Sequence, residues 1–122
     1  MSITMPNHLY NLDAEFSLLG SLIMGKRTDI LDQLKDEYFY CEQPKKAFKL
    51  IKEGYKNYEN LDLISLYSSN NEEEKQLLLE TVSRSSLTST PENLLVMLAE
   101  FNLARQAFKL GKNITEISKN HW

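Results

Sequence analysis

Glycine and proline are scarce in this 122-residue chain, at four and three, and there is one cysteine, one tryptophan and two histidines. The lone Cys41 excludes an internal disulfide, and His8 and His121, near opposite ends, give no spacing that reads as a metal site. A reducing, intracellular compartment fits this cysteine usage. No apolar run approaches the ~18 residues of a membrane span, and no basic-then-apolar leader opens the chain, so a cytoplasmic location is expected. No strand-like alternation survives along the chain, which argues against sheets. A phosphate-cradling loop is missing too. Gly111-Lys112 has Gln106 where the earlier glycine belongs and Asn113 where the hydroxyl belongs, and Gly25-Lys26 has Gly20 before it but Arg27 after it. ATP binding by this chain is therefore excluded, and no cofactor is implied. Ser85, Ser86 and the histidines form no nucleophile with an orienting base. No catalytic constellation is visible, and the chain by itself reads as non-enzymatic.

What remains is 42% hydrophobic and 25% charged, ordinary for one globular domain able to bury a modest core. A formal net charge of -3 argues against a dedicated nucleic-acid binder, which needs clustered Lys and Arg. Met1 to Leu9 lacks periodicity and reads as a flexible arm. Asn11 can cap a helix from Leu12 to Met24, with Asp13 and Glu15 in the first turn and Leu12, Phe16, Leu19, Leu22 and Ile23 as an apolar stripe. Gly25 is suited to a left-handed end for it. Thr28 or Asp29 can cap a short helix through Ile30, Leu31 and Leu34. Tyr38 to Cys41 reads as a turn that pins aromatics into the core.

Pro44 fits the first position of a third helix, in which Ala47, Phe48, Ile51 and Tyr55 share one face and Lys45, Lys49, Lys52 and Lys56 another. Gly54 should weaken or end it. Asp62 can cap a short helix through Leu63, Leu66 and Tyr67. Glu72, Glu73 and Glu74 then stand in the first turn of another helix, ahead of Leu77, Leu78 and Val82. A Ser/Thr-rich loop from Ser83 to Thr90 precedes the longest helix, from about Glu92 to Ile117. Its apolar positions include Leu94, Leu95, Leu98, Phe101, Ala104, Phe108 and Ile114, and Gly111 is a possible interruption. The expected fold is all-α with about six helices.

Taken together, Asn11-Leu12-Asp13-Ala14-Glu15 with Leu19-Gly20, then Asp36-Glu37-Tyr38-Phe39-Tyr40, Ala47-Phe48, Leu61-Asp62-Leu63-Ile64-Ser65-Leu66, Ser89-Thr90-Pro91-Glu92-Asn93 and Leu103-Ala104-Arg105-Gln106 resemble the DnaB-like helicase N-terminal domain family in order and spacing. The resemblance covers about Leu9 to Ile117. Departures are Asn70-Asn71-Glu72 where the family often has Gly-Gly, Leu87-Thr88 in place of Val-Pro, and Gln106 in place of a second base. The chain stops at Trp122, where the family continues through a linker into a RecA-like ATPase.

The expected organisation is the flexible arm at 1–9, a globular helical head at 10–88 and, as the resemblance implies, a long C-terminal hairpin helix at 89–122. The same resemblance implies a collar that forms dimers and a trimer of dimers, docks the C-terminal domain of primase or a helicase loader, and meets DNA only through the full-length assembly. Leu98, Phe101, Arg105, Phe108 and Lys109 are expected at the hairpin interface, and Asp13 and Glu15 on a partner-facing surface of the head. Two other readings stand beside this one. One is a stand-alone phage or mobile-element adaptor or inhibitor that mimics the domain and binds a host helicase or loader. The other is a nucleic-acid-binding module using Lys45, Lys49, Lys52 and Lys56, against which a solvated helix face is the blander reading.

Overall fold

In a computed structural model the backbone is described for residues 5–58, 66–67, 70–85 and 89–121, with side chains as far as residue 56 in the third helix and residue 112 in the last. The described residues hold five α-helices and no strand. These are α1 (Leu12–Gly25), α2 (Thr28–Leu31), α3 (Glu42–Tyr58), α4 (Glu72–Ser83) and α5 (Pro91–His121), with single 3-10 turns at Asn7–Leu9 and Asp36–Tyr38. The short helix expected from Asp62 lies outside the described residues except for Leu66 and Tyr67, which are helical.

α1 is the central element. Asn11 caps it, its side chain accepting from the Ala14 N–H at 3.0 Å. Every residue from Ala14 to Gly20 is buried, and so are Leu22 and Ile23. A helix buried on nearly all sides needs neighbours on nearly all sides, and α3, α4 and α5 supply them. The apolar stripe expected from periodicity is thus only part of the buried surface. Ser17 and Gly20 are buried as well because they let α4 approach. A Cβ on Gly20 would lie 2.5 Å from Ser85 Cβ and 2.8 Å from the Thr81 carbonyl oxygen.

The end of α1 differs from expectation. Gly25 remains helical, and Lys26 takes the left-handed conformation with φ of 52° and ψ of 42°. Its N–H, and that of Arg27, turn back to the Ile23 and Leu22 carbonyls. This closes the open carbonyls of the last turn, offsetting a left-handed side-chain residue that costs ~1–2 kcal/mol. Arg27, rather than Thr28 or Asp29, precedes α2, and its guanidinium holds Asp29 at 2.9–3.0 Å and also pairs with Glu92 of α5.

Phe39 is fully buried after the Asp36–Tyr38 turn and packs on Phe48 with ring centroids 4.8 Å apart. α3 starts two residues before Pro44, which therefore sits in its first turn, where a missing N–H leaves no bond unmade. Gly54 does not end α3. It is buried under Leu66, whose methyl would overlap any added Cβ. α4 opens with a reciprocal cap: Asn71 accepts from the Glu74 N–H at 2.9 Å, and Glu74 accepts from the Asn71 N–H at 3.1 Å.

α5 is the longest element at 31 residues, roughly 46 Å at 1.5 Å per residue, and Gly111 does not interrupt it. Thr90 accepts from the Asn93 N–H at its start. It packs on α1, α2 and both 3-10 turns, while α4 packs on α1 and α3. Of the expected C-terminal hairpin, the described residues contain this one long helix. Residues 5–9, expected within a flexible arm, are docked instead, with Met5 buried and the Leu9 N–H bonded to the Pro6 carbonyl.

Candidate functional site

α5 carries two different faces. Its inner face begins with Leu94 and Leu98, both in the core, and continues one and two turns later with Asn102 and Arg105, also buried. Arg105 is spent inside the protomer. Its guanidinium donates to the Leu9 carbonyl at 2.9 Å and the Glu37 carbonyl at 3.0 Å, clasping both 3-10 turns, and lies 5.5 Å from the Tyr40 ring centre. Behind it Glu15 is fully buried. One carboxylate oxygen accepts from the Cys41 N–H at 3.1 Å, and the other, Oε2, has no hydrogen-bond partner among the described residues. Burial raises the Glu15 pKa, opposed by the Cys41 bonds and the Arg105 charge. Burial, with Glu15 beside it, pushes the Cys41 thiol up to about 11, and burial also lowers Arg105. A thiol held protonated is a poor nucleophile, so this group is structural.

The outer face is apolar and uncovered. Val96, Leu103 and Leu110 are 56%, 65% and 60% exposed. They recur every seven residues, and Ala99 and Ala107 fall between them on the same side. Large side chains repeating at seven along a long helix form the seam of a helix-to-helix contact, since that period keeps them facing one partner. Scattered exposed leucines need no explanation, whereas an aligned row does.

The residues expected at the interface divide between these faces. Leu98 and Arg105 are buried within the chain, because the helix turns them onto α1 and the 3-10 turns. Phe101 is half-buried and packs against the core. Phe108 is half-buried, with the Lys112 ammonium 5.6 Å from its ring centre, and Lys109 is exposed. Of the two partner-facing acids, Asp13 is exposed and paired with Arg84 at 3.1 Å, but Glu15 is not on the surface at all. Lys45, Lys49, Lys52 and Lys56 are all exposed as a solvated face. Asp36 pairs with Lys52 at 2.9 Å, and Glu53 stands beside the same lysines, so the stripe is not an uninterrupted basic track.

The sequence reading merged two faces of α5 into one stripe and so overlooked Val96, Leu103 and Leu110. Their seven-residue spacing was the available signal. Among the described residues no group of His, Cys, Asp and Glu could hold a metal ion, and no helix is long and apolar enough to cross a membrane.

Residues 7–97 match the family model of the DnaB-like helicase N terminal domain. The crystal structure of the N-terminal domain of DnaB helicase from Mycobacterium tuberculosis is similar in fold, with a TM-score of 0.73 at 19% identity over 91% of this chain and 86% of that one. No curated protein matches the sequence.

Proposed function

The chain belongs to the DnaB-like helicase N-terminal domain family, and from that membership we propose that it is a non-catalytic collar domain of a hexameric replicative helicase. In this role it self-associates, as a dimer within a larger ring, and offers the head as a cytoplasmic docking surface for primase or a loader. The observation that carries the reading is the row Val96, Leu103 and Leu110 on the uncovered side of a 31-residue helix. Such a row supports pairing with the same helix of a second copy, because a two-fold contact needs a self-complementary patch. Lys109 and Phe108 flank it, and Leu98 and Arg105 hold it in position from behind. The mechanism is mechanical. The head fixes where α5 points, and α5 fixes how copies meet.

Sedimentation velocity of the chain at micromolar concentration tests this. Dimers or larger species are expected, and the double variant Leu103→Asp/Leu110→Asp should be monomeric with unchanged helical circular dichroism. A wild-type chain that is monomeric throughout, or a double variant that still associates, would sink the proposal.

A further inference from the structure

Past Leu98 the inner face of α5 leaves the core, and a cleft of about 510 Å³ opens between α5, the start of α3 and the Asp36–Tyr38 turn. Asn102 lines this cleft. It is only 7% exposed, and its side-chain amide makes no hydrogen bond with any described residue. The polar atoms of its carboxamide open to the cleft rather than being sealed in the core, and their adjacent donor and acceptor are the complement of a main-chain peptide group. Lys45 enters from α3 and Lys109 from α5, and neither has an ion-pair partner among the described residues. Asp36, an acid on the rim, pairs with Lys52. The Arg105 guanidinium is consumed by carbonyls and does not compete. Tyr40 supplies an aromatic wall. Among the described residues, two cations without ion-pair partners flank the amide, and Glu37 is an acid on the rim outside an ion pair.

We propose that this cleft binds an extended acidic peptide segment of a partner protein, Asn102 gripping one main-chain peptide group while Lys45 and Lys109 take its carboxylates. A nucleic-acid strand suits it less, because its phosphates follow one another at fixed spacing past Asp36 and Glu37, whereas a peptide can place its acids only where the lysines are. The cleft adds a docking place to the recruiting role proposed above, and its test does not depend on whether the chain self-associates.

The probe is a short fluorescein-labelled peptide of alternating aspartate and alanine, read by anisotropy on the full chain at low salt. Saturable binding is expected, weaker by about tenfold or more for the asparagine-alanine counterpart and for Lys45→Glu/Lys109→Glu, a tenfold change being about 1.4 kcal/mol. Asn102→Leu, close in volume, should weaken binding while leaving the helical circular dichroism intact. Asn102→Asp, should the leucine variant fail to fold, should also weaken it through charge repulsion. Lys49→Glu/Lys56→Glu, which adds the same charge outside the cleft, should weaken binding clearly less, through long-range charge alone. Absence of saturation, equal weakening by the outside pair, or indifference to both Asn102 variants would overturn the proposal. Displacement of the peptide by oligothymidylate with the same variant pattern would reassign the cleft to nucleic acid and overturn it equally.

Discussion

Glu15 stands in the first turn of α1, where an acid is ordinarily a solvated partner of the helix dipole, yet its carboxylate is enclosed between Cys41 and the Arg105 guanidinium. Its pKa lies above 4.5, chiefly through burial. A carboxyl raised in the folded state contributes stability that is fully present below the unfolded value and lost as pH rises through the folded value. Glu15→Gln keeps an acceptor for the Cys41 N–H and removes the titration. Urea denaturation between pH 4 and 7 should therefore show wild-type stability falling relative to the variant as pH rises, and parallel curves would refute the account. Arg105→Met tests the other half of the cluster. It leaves the Leu9 and Glu37 carbonyls without their donor, which should lower stability by about 3 kcal/mol and speed amide exchange in residues 9–10 and 37–41. Neither role was legible from sequence, since burial of a first-turn acid depends on what packs over it. The acid and its arginine are ninety residues apart.

Helix starts were readable where a side chain caps its own backbone, because that chemistry is local. Asn11 is the clearest case. Asn71 supplies a reciprocal cap to α4, so Asn71→Ala should cost about 1 kcal/mol in urea denaturation. Glycines were read less well. Gly25 suggested a helix end, Gly54 a weakening or end and Gly111 an interruption, but Lys26 turns α1, α3 continues past Gly54 under Leu66, and α5 continues past Gly111 in open space. A glycine marks either a backbone that bends or a neighbour that comes close, and sequence alone does not say which. At Gly20 it is the second. Gly20→Ala should force α1 and α4 apart and destabilise by about 1–3 kcal/mol, measurable as a lowered melting temperature. An unchanged melting temperature would mean that Ser85 moves aside at no cost.

For the molecule as a whole, α5 both completes the core and presents an uncovered row, and these two jobs should separate by mutation. Leu98→Ala opens a cavity beside α1 and should lower stability by about 2–5 kcal/mol. Leu103→Ala removes a solvent-facing side chain from the monomer and should leave low-concentration stability within about 0.5 kcal/mol. The melting temperature of the wild type should rise with protein concentration, and Leu103→Ala should flatten that dependence, because partners that bind only the folded state stabilise it by mass action. A concentration-independent wild-type melting temperature would remove the interface from α5.

The sequence by itself determined the helical class, the cap at Asn11, the pinning of Phe39 and Phe48 and the order of elements that marks the family, because each rests on neighbours in the chain or on a repeated period. The tertiary structure alone decided that α1 is buried on nearly all sides, that Glu15 and Arg105 belong to the interior, and that Val96, Leu103 and Leu110 rather than Leu98 face outward. A helix of mixed apolar positions admits more than one inward orientation. Only the docking of α5 onto α1 and the two 3-10 turns selects which face is covered and which is left open.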